Sequence, residues 1–112
     1  MTRLWDMLTY AKEIQSRVST MTFEMYLADS DRRLATERRL EIIGEAAKNH
    51  SQRFIDQHPT IPWRAIIGMR NVLAHEYGEI RHERVFHTAQ QSIPELIRGV
   101  EALLAPPPSN DV

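Results

Sequence analysis

Residues 70–77 read Arg-Asn-Val-Leu-Ala-His-Glu-Tyr, and this stretch decides both the fold and the chemistry to be expected of the chain. It continues an apolar pattern of three- and four-residue spacing, which predicts one helix from about Pro62 to Tyr77, ended by Gly78. Arg70 brings a permanent planar cation that fits phosphate oxygens. His75 brings an imidazole, a group that exchanges protons near neutral pH. The stretch therefore predicts a helix carrying groups suited to phosphate chemistry.

Two long helices are predicted before this motif. The first covers about twenty residues and should bury one apolar stripe. Its members recur at three- and four-residue spacing: Leu4, Leu8, Ala11, Ile14 and Val18. The second helix has Ser30 and Asp31 as its N-terminal cap and favourable charge, and it should run to about Asn49. Between them, Thr22 can cap a short turn.

The second long helix combines an apolar stripe with many charges. We interpret its charged residues as a solvated face: Arg32, Arg33, Glu37, Arg38, Arg39 and Glu41. The apolar positions are expected in the core: Leu34, Leu40, Ile42, Ile43, Ala46 and Ala47. Gly44 lowers the side-chain bulk in mid-helix despite a propensity cost of about 1 kcal/mol relative to Ala. The segment around Gly44 should therefore let another helix approach closely.

The remaining elements complete an all-α antiparallel bundle. A short helix is predicted around Gln52–Gln57 and a final helix from near His82. Pro94 lies inside that last helix and should distort it near residues 90–93, because proline has no N–H and clashes with the preceding turn. We expect one helical domain over residues 1–104 and a flexible C-terminal tail over residues 105–112.

Composition limits the possible functions. The chain has 112 residues, enough for one domain, and its 14 basic and 15 acidic residues give a net charge of -1. Any nucleic-acid site must therefore be local rather than spread over the surface. The chain has no Cys, which is compatible with a reducing cytosol, and it shows no apolar run long enough to span a membrane. A soluble cytoplasmic protein is expected.

The motif and its surroundings resemble HepT-type HEPN toxins, small helical ribonucleases encoded beside a nucleotidyltransferase antitoxin of the MntA type. The family's signature is an Arg, four residues, a His, one residue and a Tyr, and this chain matches it with Arg70, His75 and Tyr77. Three further blocks follow the family's order: residues 41–48 (Glu-Ile-Ile-Gly-Glu-Ala-Ala-Lys), residues 58–71 from His58 to Asn71, and residues 93–96 (Ile-Pro-Glu-Leu). Gly78 is a departure, since many relatives carry an aromatic residue after the Tyr.

A single copy of the motif gives a poorly converged site. Five residues on a straight helix separate Arg70 from His75 by about 140° around the axis and about 7.5 Å along it. Asn71 and His75 are neighbours on the helix surface, so Asn71 can orient the imidazole or contact a phosphate. Arg70 and Tyr77, seven residues apart, are expected to share a face. A two-fold homodimer would bring two His75 and two Arg70 into one cleft, and the resemblance implies the same composite cleft.

The resemblance assigns roles to these residues. It implies metal-independent RNA cleavage with His75 as general acid or base, Arg70 as phosphate clamp and Asn71 as polar support. It also implies that the partner nucleotidyltransferase attaches AMP to the Tyr77 hydroxyl and so silences the toxin of this type VII-like pair. Without the family, Tyr77 reads as a half-buried ring that closes a helix end.

One rival function stays open on the sequence alone. The helical dimer can instead be a non-catalytic binding subunit of a nucleotidyltransferase. Intact Arg70, His75 and Tyr77 favour the enzyme. No metal site and no cofactor are expected, because the segment after His75 lacks the second His of a zinc-protease motif and no glycine-rich phosphate loop is present.

Overall fold

The computed structural model describes residues 2–105, which form α-helices, one π-helical turn and no strand. The elements are α1 (Thr2–Val18), α2 (Phe23–Ala28), α3 (Ser30–Lys48), α4 (Gln52–Gln57), α5 (Trp63–His75), α6 (Gly78–His87), the π-turn (Thr88–Ser92) and α7 (Ile93–Leu104). α3 packs against α1 on one side and α5 on the other, and α7 packs against α1. The predicted all-α class is confirmed.

The stripe predicted on the first helix is the centre of the core. All five of its members are buried, together with Met7, and they belong to one hydrophobic cluster with the buried side chains of α3, α5 and α7. Each side chain of this size contributes about 1.5–3 kcal/mol when it is fully buried. Periodicity alone thus located the core face of α1.

The start of α3 agrees with its prediction to within one residue. The N-cap is Asp29, whose carboxylate accepts a hydrogen bond of 3.0 Å from the backbone N–H of Arg32. Ser30, predicted as the cap, is instead the first helical residue. Thr22 caps α2 as expected, with its hydroxyl accepting from the N–H of Met25 at 3.1 Å.

The two faces of α3 differ from the prediction at two positions. Leu34, expected in the core, is 64% exposed, whereas Glu37, expected on a solvated face, is only 9% exposed. Glu37 lies one helical turn before Leu40 and two turns before Gly44, both of them buried, whereas Leu34 neighbours the exposed Arg38 on the helix surface. The contacts of α3 with two neighbouring helices therefore overrode the apolar character of single residues.

The segment after the motif also differs from the prediction. α5 ends at His75, and Glu76 and Tyr77 adopt extended backbone conformations. Gly78 has a φ of 62° and begins α6, so that the last long helical segment starts there rather than near His82. Since Tyr77 lies outside α5, the expectation that it shares a helical face with Arg70 was wrong.

The distortion expected at Pro94 takes the form of a π-helical turn. Thr88–Ser92 joins α6 directly to α7, immediately before the proline. Proline has no N–H to donate and its ring clashes with the preceding turn of an α-helix, and the wider π-helical turn relieves both problems. Within this turn, the Gln90 amide donates a hydrogen bond of 2.7 Å to the carbonyl of Val18, the last residue of α1. The π-turn therefore also ties α1 to the end of the bundle.

The C-terminal tail was predicted over residues 105–112. Residues 106–112 lie outside the described residues, and Ala105 directly follows the end of α7. The domain boundary after residue 104 thus stays a prediction. None of the helices in the described part of the chain is long and apolar enough to cross a membrane.

Candidate functional site

Arg70 lies where α5 packs against α3. Its side chain is half-buried, and its aliphatic stem passes over Gly44 of α3. It lines an open groove of about 580 Å³ between the two helices, with Glu41, Glu45 and Lys48 on the α3 side. Within residues 2–105, no carboxylate comes within 4.0 Å of the Arg70 nitrogens. The guanidinium is therefore a half-buried cation without a neutralising ion pair, as a phosphate-binding group requires.

Asn71 and His75 lie on the solvent side of the same helix. Both are exposed, and with Arg64 and Gly68 they form a stripe at three- and four-residue spacing along α5, here called the α5 stripe. A Cβ added to Gly68 would meet nothing within 4 Å, so this glycine leaves a flat, open place in the middle of the stripe. Asn71 also borders the Arg70 groove.

A single protomer does not bring Arg70 and His75 together. Arg70 points toward α3, whereas His75 is exposed at the C-terminal end of α5. The five-residue separation, about 140° around the axis, agrees with these two directions. Asn71 lies between them, since it shares the exposed face with His75 and lines the groove with Arg70.

Tyr77 is presented to solvent. Its side chain is 75% exposed, between the end of α5 and the start of α6, and Ile80 close by is 59% exposed. The interpretation of Tyr77 as a half-buried ring that closes a helix end was therefore wrong. Tyr77 is thus accessible to other molecules rather than packed against the helix end.

An ion-pair cluster that the sequence analysis missed holds α6 against α3. Arg81 donates a hydrogen bond of 2.7 Å to the Glu37 carboxylate, and His82 Nδ1 lies 3.8 Å from the other oxygen of Glu37. Since α6 begins directly after Tyr77, this cluster fixes the helix that follows the exposed tyrosine. The available signal was helical phase, because Glu37 shares a face with Leu40 and Gly44.

The buried phenol of Tyr26 lies close to the same cluster. Burial, followed by the negative charge of Glu37, raises the pKa of Tyr26 above its ordinary value. The Tyr26 hydroxyl is buried without a hydrogen-bond partner in the described structure. This phenol is therefore neutral and structural at physiological pH.

His50 and His58 have packing roles. His50 stacks on Phe54 at 4.9 Å between ring centroids, and His58 packs on Phe54 at 4.5 Å. The Trp63 indole donates to the carbonyl of His58 at 2.9 Å, which helps to fix the turn before α5. Over residues 2–105, no group of three His, Cys, Asp or Glu side chains is arranged to hold a metal ion.

Comparison with known proteins identifies the family. The family model described as "Ribonuclease HepT-like" matches residues 7–103. A protein of Thermococcus cleftensis named as a probable ribonuclease HepT is 37% identical over 100 residues, covering 89% of this chain and 91% of that protein. A provisionally named RNase of Methanocaldococcus jannaschii is 34% identical over 101 residues, covering 90% of this chain and 84% of that protein.

A third relative gives the same family from a bacterium. A provisionally named RNase of Caldanaerobacter subterraneus subsp. tengcongensis is 40% identical over 88 residues, covering 79% of each chain. No solved structure matches this chain. With the family model covering nearly the whole helical bundle, this chain belongs to the HepT-like ribonuclease family.

Proposed function

We propose that this protein is a metal-independent endoribonuclease toxin that cleaves RNA in a cleft between two copies of the chain. The observation that carries the proposal is the unpaired Arg70 guanidinium in the α3–α5 groove, with His75 exposed on the α5 stripe. One protomer holds both kinds of group but directs them apart. A second copy is the simplest way to complete the site.

The α5 stripe is the surface we assign to that second copy. A two-fold axis passing near the stripe would place the two α5 helices side by side and bring both His75 side chains together. Gly68 favours this arrangement, because its missing side chain allows two helix backbones to approach closely. Ile80, exposed beside Tyr77, adds apolar area next to the stripe.

The composite cleft supplies each group that RNA cleavage needs. One His75 removes the proton of a ribose 2′-hydroxyl, whose oxygen attacks the adjacent phosphorus. The bond from phosphorus to the 5′-oxygen breaks, and His75 of the second copy gives that oxygen a proton. Arg70 stabilises the extra negative charge on the phosphate oxygens in the transition state. The products are a 2′,3′-cyclic phosphate and a 5′-hydroxyl, and the reaction requires no metal or cofactor.

Tyr77 is the proposed point of control in the cytoplasm. A cognate nucleotidyltransferase of the MntA type would direct the Tyr77 hydroxyl oxygen at the α-phosphorus of ATP, releasing pyrophosphate and the phenolic proton. The AMP ester then places a negative phosphate two residues after His75. It would compete with RNA for the cations of the cleft and block access by its bulk. The 75% exposure of Tyr77 supports this assignment.

A non-catalytic binding subunit of a nucleotidyltransferase is the second candidate function. The exposed Tyr77 fits both candidates, since either protein would dock on the nucleotidyltransferase. The unpaired Arg70 favours the enzyme, because a binding subunit has no need of a half-buried cation without a partner.

A cleavage assay tests the proposal. Unmodified wild-type protein, checked by mass, is incubated with RNA in EDTA and compared with His75→Ala and Arg70→Ala. We expect each variant to lose about 100-fold or more in rate, as for loss of a general acid–base group or a charge-stabilising group. Arg38→Ala is the matched control, since Arg38 is an exposed α3 arginine paired with Glu41.

The product ends and the control decide the outcome. Cyclic phosphate ends, with Arg38→Ala as fast as wild type, support the composite site. Unmodified wild-type protein that leaves RNA intact under all conditions favours the binding subunit instead.

A further inference from the structure

Gly44 of α3 lies directly beneath the side chain of Arg70, with little room between them. A Cβ built on this buried glycine would lie 3.2 Å from Cγ and 3.7 Å from Cδ of Arg70, and 3.1 Å from the carbonyl oxygen of Ile66. Carbon atoms in ordinary contact are about 3.5–4.0 Å apart. The Arg70 stem and the Ile66 carbonyl therefore leave room for a Cβ at position 44 only if one of them shifts by a few tenths of an ångström.

Backbone conformation does not account for this glycine. Among the described residues only Gly78 has a positive φ, so Gly44 adopts a helical conformation that alanine adopts better. Glycine in a helix interior costs about 1 kcal/mol relative to alanine. What position 44 requires is the absence of a side chain beneath the Arg70 stem and the Ile66 carbonyl.

The route of the stem determines where the charge goes. Arg70 runs from α5 over Gly44 into the α3–α5 groove, which Glu41 and Glu45 also line, and it forms no ion pair with a carboxylate of residues 2–105. A Cβ at position 44 would make the Arg70 stem shift by a few tenths of an ångström and would move the guanidinium with it. Displacements of about 1 Å in a catalytic group can cost about 100-fold in rate.

We propose that Gly44 is a positioning residue that acts through Arg70: because Gly44 has no side chain, it leaves open the space in which the Arg70 side chain lies on its way into the groove. This inference rests on the proposed function, in which Arg70 binds the phosphate of the RNA. It adds a residue of α3 to a site whose other members all lie on or after α5.

The test compares Gly44→Ala with Gly99→Ala. Gly99 is also a helical glycine without room for a Cβ, which would lie 2.7 Å from Cγ1 of Ile61, but it lies on α7 away from the groove. Both variants should change thermal stability. Only Gly44→Ala should lower kcat, by about tenfold or more, and Gly99→Ala should keep the wild-type kcat at a temperature where it is folded.

A double-mutant cycle separates positioning from packing. If Gly44 acts through Arg70, then Gly44→Ala should slow the wild type but cause no further loss of kcat in an Arg70→Ala background. Losses that multiply would overturn the inference. The inference would also be overturned if Gly44→Ala kept the wild-type kcat while Arg70→Ala was slow. An Arg70→Ala variant as fast as wild type would instead overturn the proposed function itself.

Stability keeps the inference testable if Gly44→Ala folds poorly. Removing the Arg70 stem should then restore the melting temperature of the Gly44→Ala, Arg70→Ala double variant toward that of Arg70→Ala. A double variant that stays unfolded would show that the clash is with the Ile66 carbonyl, and the positioning role would be refuted.

Discussion

The ion pair between Glu37 and Arg81 should contribute far more to stability than the exposed pair between Arg38 and Glu41 on the same helix. Its N–O distance is 2.7 Å, and the side chains are only 11% and 25% exposed. Glu37→Gln leaves the Arg81 charge half-buried without its partner. Loss of one member of a fully buried pair costs about 3–5 kcal/mol, and the remaining exposure of Arg81 reduces our expectation to about 2–3 kcal/mol.

The same helix provides the matched control. Arg38 and Glu41 also form an ion pair, but their side chains are 69% and 50% exposed. Pairs of this kind contribute about 0–0.5 kcal/mol. Glu41→Gln should therefore be nearly neutral, although it removes the same type of charge from the same helix.

Urea unfolding with a double-mutant cycle measures both pairs. Glu37→Gln, Arg81→Gln and their combination are unfolded at one fixed protein concentration, because association of copies would change the apparent stability. We expect a coupling energy of about 1.5 kcal/mol or more for Glu37 and Arg81, little changed by 1 M salt. A coupling no larger than that of Arg38 and Glu41 would refute the reasoning that burial sets the strength of this pair.

Three further predictions follow from single side chains. Tyr26→Phe should raise the free energy of unfolding at pH 7 by about 1 kcal/mol, because it removes a buried hydroxyl without a partner. Because the pKa of Tyr26 is raised in the folded protein, the unfolded chain loses the phenolic proton first as the pH rises. The wild-type free energy of unfolding should therefore fall above about pH 10, by up to about 1.4 kcal/mol per pH unit. Urea unfolding at several pH values should show that Tyr26→Phe lacks this part of the loss. Tyr77→Phe should keep RNA cleavage and stay free of AMP by mass spectrometry when incubated with the cognate nucleotidyltransferase and ATP; a modified Phe variant would place the acceptor elsewhere. Gly68→Glu should give a monomer by light scattering and abolish cleavage, whereas an active dimer would exclude the α5 stripe as the interface.

The sequence predicted those parts of the fold that depend on local periodicity. The stripe of α1 is regular over five members, and all of them are buried. The helix class, the short α4 and the distortion before Pro94 follow likewise from spacing, caps and proline chemistry. These features require no knowledge of which elements pack together.

The errors arise where tertiary contacts choose between local alternatives. Leu34 and Glu37 lie in one charged segment, and nothing in their residue types places the leucine outside and the carboxylate inside. Arg81, which partners Glu37, is 44 residues further along the chain. The end of α5 is a similar case, because a glycine after a helix can end it or, as Gly78 does, begin the next one with a positive φ.

The identities of the site residues were readable from the sequence, but their directions were not. The spacing of Arg70 and His75 already implied that one straight helix separates them. Only the structure shows that Arg70 turns into the α3–α5 groove over Gly44, that Asn71 borders this groove, and that His75 remains on the solvent side. The direction of the Arg70 side chain depends on its contact with Gly44 of α3, which lies 26 residues earlier in the sequence. No local sequence pattern encodes that contact.

These directions divide the proposed site into two parts with different physical origins. Arg70 is held by packing inside one protomer, so its charge is in place before any second copy or RNA arrives, and such preorganised groups act without reorganisation cost during the reaction. His75 lies on an open surface, so its partner groups are set by association. In the proposed mechanism, folding therefore fixes the phosphate-binding half of the site, and dimerisation supplies the pairing of the two imidazoles that moves the protons.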